Sequence, residues 1–199
     1  MDKKPIVVSP YDAELYGHWW YEGPQFLDFL FRKTWFDQDT IAMTHLKEYL
    51  EENDTQQLAT PAPSSWGYLG FNQYWLNESN NWIYPYLHNI TEKMITLAQR
   101  KAKDELEKRA LNQAARELLL AQSSDWAFIM RTGTMVPYAI KRTKTHILRF
   151  NRLYEQILAG EIDSRWLMKV ETIDNIFPHI DYRVYQTSGV QVRSELKVQ

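Results

Sequence analysis

The chain has 199 residues, 44% hydrophobic and 24% charged, with a formal net charge of -2. That is enough chain for a folded core, and a near-neutral balance excludes the global basic field that draws proteins to nucleic acid. No apolar run is long enough to span a bilayer. The absence of cysteine excludes disulfides and thiolate metal sites and suits a reducing cytosol. Met1 to Pro5 leads straight into Ile6-Val7-Val8 without a signal-peptide profile. The expectation is therefore a cytoplasmic chain with neither a membrane nor a nucleic-acid partner. Aromatic content is high, with 8 Trp and 12 Tyr. Such rings either fill a core or offer flat apolar faces to a ligand.

Pro5 to Tyr11 reads as one short buried strand. A lone strand needs ladder partners, so this reading implies a larger sheet. Gly23-Pro24 opens a helix with proline in its first turn, and Phe26, Leu27, Leu30, Phe31 and Trp35 form its apolar stripe. A second helix covers His45 to Glu52, and Thr60 to Gly70 is an ordered loop rich in proline, glycine and serine. Ile83, Leu87, Ile90, Met94 and Leu97 then step by four and three. A charged stretch from Arg100 to Arg109 reads as a solvated turn or helix face, followed by the stripe Leu106, Ala110, Ala114 and Leu118. Ile140, Thr143, Ile147, Phe150, Tyr154 and Ile157 mark the clearest helix. Gly160 ends it, Asp163 or Ser164 caps another, and Pro178 stops that one. Short connections between these helices predict an antiparallel bundle, and the tail after Tyr185 lacks periodicity.

Three constellations carry candidate chemistry. Asp12 follows the predicted strand, where α/β barrels place catalytic groups, and His18, Trp19 and Trp20 come soon after. Read from the residues alone, Asp12 is either catalytic or a helix cap. Trp66 sits among glycines in Ser64-Ser65-Trp66-Gly67, ahead of Trp75-Leu76-Asn77, and is either a sugar platform or a packing residue. Asp125 opens a short helix, as a cap or as an acceptor for sugar hydroxyls. The basic run Lys141-Arg142-Thr143-Lys144 reads as solvated, the five histidines are scattered, and no metal-ligand spacing or cofactor motif is evident.

Tyr11-Asp12-Ala13-Glu14-Leu15-Tyr16-Gly17-His18-Trp19-Trp20-Tyr21-Glu22-Gly23-Pro24 resembles the fourth motif of glycoside hydrolase family 57, in the form found in its α-1,4-glucan branching enzymes. Ser64 to Gly67 with Trp75 to Asn77 resembles the fifth motif. Ser124-Asp125-Trp126 and Phe177 to Arg183 resemble stretches of the helical C-terminal domain. The resemblance implies a mainly α fold: a helical bundle preceded by a remnant of a (β/α)7 barrel. Residues 1–60 would end the barrel and 61–199 would form the helical domain. It places the acid/base aspartate on Asp12, and glucan-contacting roles on Trp66, Trp75, Asp125, His18 and Trp19. Trp75, His18 and Trp19 keep packing as an alternative.

The same resemblance puts the nucleophilic glutamate on an earlier strand, in motifs without counterpart among these 199 residues. Retaining glycosidases need two carboxyls about 5–5.5 Å apart. The chain by itself is thus expected to be inactive, its partners being an α-glucan and a barrel segment that carries the glutamate. A glucan-binding module without catalysis, a helical interaction protein and an amylase-type hydrolase are the alternatives.

Overall fold

The computed structural model describes residues 4–187. Seven α-helices occur among them: α1 Gly23–Phe36, α2 Leu46–Glu52, α3 Ile83–Ala98, α4 Glu105–Ala121, α5 Ser124–Thr132, α6 Val136–Ala159 and α7 Ser164–Ile173. None is long and apolar enough to cross a membrane. The chain divides into two compact units, Met1–Ala62 and Pro63–Gln199.

In the first unit, the strand read over Pro5 to Tyr11 does not form, and no strand occurs among the described residues. No barrel remnant is seen among the described residues. The reason is that a strand's N–H and C=O groups need a neighbouring strand, and none pairs with this segment. A π-helical turn, Leu15–Trp19, follows and leads into α1, which begins at Gly23-Pro24 as the sequence predicts. The stripe on α1 does not bury: Phe26, Leu30, Phe31 and Trp35 all stay exposed, Trp35 to 80%. His45 stands just outside α2 and caps it, its ring Nδ1 accepting from the Glu48 amide at 3.1 Å.

The second unit holds the core. Ile83, Leu87, Ile90, Met94 and Leu97 on α3 are all buried, as their spacing predicts. They meet Leu111 and Leu118 of α4 and Phe150, Leu153 and Ile157 of α6. α4 turns Ala110, Ala114 and Ala115 inward, and these short side chains let α6 approach, giving the most extensive helix interface in the unit. Asp104 caps α4, its carboxylate accepting from the Glu107 amide at 2.8 Å. The charged stretch from Arg100 to Arg109, which runs into α4, is not wholly solvated. Glu107 is buried, accepting from the Lys103 amide at 2.6 Å and facing Arg100 at 3.4 Å. Gly160 ends α6 with φ 72°, the left-handed conformation that favours glycine, and Asp163 caps α7. α7 ends at Ile173, well before Pro178. Tyr182 then pins the last turn to the bundle. Its hydroxyl donates to the Arg100 carbonyl and its amide donates to Asn112 Oδ1.

Candidate functional site

In the first unit, Asp12 lies just before the π-helical turn and is exposed, with no hydrogen-bond or ion partner for its carboxylate among the described residues. It does not cap a helix with its side chain, since the cap position of that turn is Glu14. His18 is exposed. Trp19 is 77% exposed and donates its indole N–H to Glu14 Oε1 at 3.1 Å. Trp20 turns inward between Tyr16, at 5.6 Å, and Phe26, at 4.9 Å between ring centroids. The motif thus forms a π-turn with an aromatic underside and an open carboxylate, and π-turns recur at functional sites.

In the second unit, four rings form a ridge. Trp66 stacks on Tyr74 at 5.6 Å and meets Trp75 edge-on at 5.0 Å. Phe128, from α5, closes the set at 5.9 Å from Trp66 and 5.4 Å from Tyr74. Trp66 is 72% exposed, whereas Trp75 is half-buried against the core. The structure therefore brings the two predicted tryptophans together and gives them different tasks. Trp75 anchors the ridge and Trp66 is its open face.

The loop that carries the ridge is built from its own polar groups. Ser65 Oγ donates to the Phe71 carbonyl at 2.7 Å and accepts from the Gly67 amide at 3.0 Å. Gly67 must be glycine for space. A Cβ there would lie 2.9 Å from the Phe71 carbonyl oxygen and 3.0 Å from the Tyr74 ring. Asn80, in the Asn80-Asn81-Trp82 stretch that follows Trp75 to Asn77, is fully buried, a role the sequence does not reveal. Its amide donates to the carbonyls of Tyr74 (2.9 Å) and Ala127 (3.0 Å), and its oxygen accepts from the Asn77 amide at 2.9 Å. It thereby ties the ridge loop to α5. Asn-rich turns are usually read as solvated, so only an apolar neighbourhood in the sequence could have singled this one out.

Asp125 sits in the first turn of α5, exposed, and accepts from Ser123 Oγ at 3.2 Å. It is not the cap, which is Ser123, and it lies one turn before Phe128 on the same helix.

One of the scattered histidines sits in a buried polar cluster. His146 is buried with Glu117 and Asp174, their ligand-type atoms lying within 4.8 Å of one another. Such a set could hold a cation, but its donors are taken. His146 Nδ1 is 2.7 Å from Glu117 Oε2, and Arg142 Nη2 is 2.9 Å from His146 Nε2. Arginine only donates, so Nε2 accepts and Nδ1 carries the proton to Glu117. Arg149 pairs with Asp174. Asp174 thus faces two guanidinium groups, of Arg142 and Arg149, and a divalent cation would meet positive charge already in place. Burial raises the Glu117 carboxyl above its ordinary range, against the hydrogen bonds from His146 and Gln113. The basic run of α6 is consequently not just solvated. Arg142 enters this network and Lys144 lies 5.6 Å over the Trp82 ring.

Residues 86–185 match the family described as 1,4-alpha-glucan branching enzyme, C-terminal. The chain belongs to this family. A 1,4-alpha-glucan branching enzyme of Thermococcus kodakarensis is 34% identical over 181 residues, covering 88% of this chain and 26% of that protein. Among solved structures, a glycoside hydrolase family 57 branching enzyme from the same organism, crystallised with glucose, superposes with a TM-score of 0.71. It is 32% identical and covered to 34% by 94% of this chain. An alpha-amylase of Thermotoga maritima superposes at 0.65 with 44% identity, again over 94% of this chain and 35% of that one. The chain thus spans about a quarter to a third of the length of these relatives. The resemblance drawn from the motifs and the family match agree.

Proposed function

We propose that this chain is the glucan-holding part of an α-1,4-glucan branching enzyme of glycoside hydrolase family 57. The observation that carries the reading is the exposed Trp66 face on a ridge locked by Tyr74, Trp75 and Phe128, in a chain that matches the branching-enzyme C-terminal family. A flat indole held rigidly stacks on the apolar face of a glucose ring with little entropy to lose. Residues 1–60 belong to the end of the catalytic barrel and 61–199 to the helical domain in this reading.

Asp12 serves as the acid/base. It protonates the leaving glycosidic oxygen, then removes the proton from a 6-hydroxyl of the acceptor glucan. The nucleophile that forms the glycosyl-enzyme comes from a barrel segment outside these residues. That segment also covers the open apolar face of α1. Asp125 binds sugar hydroxyls, and His18 and Trp19 border the reacting sugar. The enzyme acts in the cytoplasm, in glycogen-type polymer synthesis, a setting that a cysteine-free chain suits.

Titration of tryptophan fluorescence with maltooligosaccharides tests the reading. Quenching by maltoheptaose that disappears in Trp66→Ala supports it, and an unchanged spectrum for the wild-type chain sinks it. On amylose with iodine staining, the chain alone leaves the stain unchanged. A loss of stain would show that no external nucleophile is needed. The likeness to the Thermotoga alpha-amylase favours a second reading, hydrolysis in place of transfer. Joined to the glutamate-bearing segment, a hydrolase would raise reducing ends without creating branch points.

A further inference from the structure

Beside the ridge, and separate from Trp66 and Trp75, lies a cleft of about 570 Å³ lined by Tyr68, Gln73, Tyr74, Arg131 and Thr132. That volume is within the range of small-molecule sites. Its walls come from two elements, the ridge loop and the C-terminal turn of α5, which Asn80 holds together. Tyr74 is common to the cleft and the ridge, where its ring sits against Trp66 and Phe128. Tyr68 is exposed, at the start of a 3-10 turn that Leu69, with φ 55°, and Gly70, with φ 79°, bend tightly.

Thr132 Oγ1 donates to the Ile129 carbonyl at 3.5 Å and lies 3.4 Å from Thr134 Oγ1, but the longer side chains of the lining are unspent. The Gln73 side-chain amide makes no hydrogen bond among the described residues, and Arg131 has no carboxylate within ion-pair distance there. Arg131 also complements the negative end of the α5 dipole. That accounts for its charge, but not for the free amide beside it or for the two tyrosine rings.

We infer that this cleft is a second sugar subsite, taking a segment of α-1,4-linked glucan that runs on from the Trp66 platform across Tyr74. The inference rests on the glucan reading above. A glucan segment has apolar ring faces and a rim of vicinal hydroxyls. Tyr68 and Tyr74 match the faces. The Arg131 guanidinium and the Gln73 amide supply donors to neighbouring hydroxyls, and the Gln73 carbonyl and Thr132 hydroxyl accept in return. The neutral ligand follows from the glucan reading, and the Arg131 fork can meet paired hydroxyls as it meets paired anionic oxygens.

Isothermal titration of the full chain with maltotriose and maltoheptaose tests this, using wild type, Trp66→Ala and the double variant Gln73→Ala/Arg131→Ala. All substituted positions of the double variant are exposed, so its melting temperature should match wild type. The expected result is maltoheptaose affinity about tenfold weaker in the double variant, the loss of roughly one good polar contact pair, with maltotriose affinity unchanged. Equal maltoheptaose affinity in wild type and double variant, with loss in Trp66→Ala, overturns the subsite and leaves the platform standing. Absence of binding by wild type overturns both. Displacement of maltoheptaose by millimolar inorganic phosphate in wild type, lost in the double variant, overturns the neutral-ligand assignment.

Discussion

Glu117 offers the sharpest test of the bundle's interior. Its carboxylate is fully buried and accepts from Gln113 Nε2 at 2.9 Å on one oxygen and from His146 Nδ1 at 2.7 Å on the other. Glu117→Ala leaves the Gln113 amide with one remaining partner, the Asp174 carbonyl at 3.2 Å. It leaves the His146 N–H without a hydrogen-bond acceptor, Asp174 Oδ2 standing 3.9 Å away, and the ring cannot switch tautomer because Arg142 already donates to Nε2. An orphaned buried donor costs about 1–3 kcal/mol, and the small cavity adds roughly 1 kcal/mol. The carboxylate's own burial penalty, which pushes its pKa up, is relieved and offsets part of this. A net loss of about 3 kcal/mol follows, or roughly 9–12 °C in Tm for a unit of this size. Glu117→Gln should cost about half as much, since one of its two contacts survives. Thermal melts followed by circular dichroism, combined in a double-mutant cycle of Glu117→Leu with His146→Leu, measure the coupling. Single losses that add within about 0.5 kcal/mol in the double variant would refute the network, since paired buried groups removed together cost far less than the sum.

Three further outcomes follow from the same geometry. Asn80→Ala removes two bonds within the ridge loop and the one that ties it to α5, and should cost about 2–3 kcal/mol by urea denaturation while weakening maltooligosaccharide quenching. Gly67→Ala drives a methyl into a backbone carbonyl and the Tyr74 ring, so the ridge should open. The expected cost is about 1–3 kcal/mol, with a blunted Trp66 response to sugar. Asp181 is held at about 2 by its hydrogen bonds with Arg183. A folded value below the unfolded one, about 3.9, stabilises above that pH, and the benefit is lost as pH falls from about 3.9 toward 2. The pair is exposed, so Asp181→Asn should cost under about 1 kcal/mol at pH 7. Urea midpoints of variant and wild type should converge near pH 2.

The helices of the bundle were legible because each follows from neighbours three and four residues apart. The α3 spacing from Ile83 to Leu97, the Gly160 stop and the Asp163 cap are local decisions of the chain, and the structure shows all three. The motifs around Asp12 and Trp66 were legible too, as strings of residue types, and they pointed to the family that the match at residues 86–185 bears out. Where a decision needed a partner distant in sequence, the sequence alone misled. Pro5 to Tyr11 has the composition of a strand but finds no neighbour to pair with among the described residues, and most of the apolar stripe of α1 stays exposed there. Glu117, His146 and Asp174 are 29 and 28 residues apart, a spacing that signals nothing until α4 and α6 pack side by side and the end of α7 closes over them. Asn80 looks like any turn asparagine until the carbonyls of Tyr74 and Ala127 are left facing it in a dry interior. Local chemistry wrote the helices, their caps and the Trp66 loop. Tertiary packing decided which polar groups are dry and so must find partners, because desolvation is a property of the assembled fold and of no single stretch of sequence.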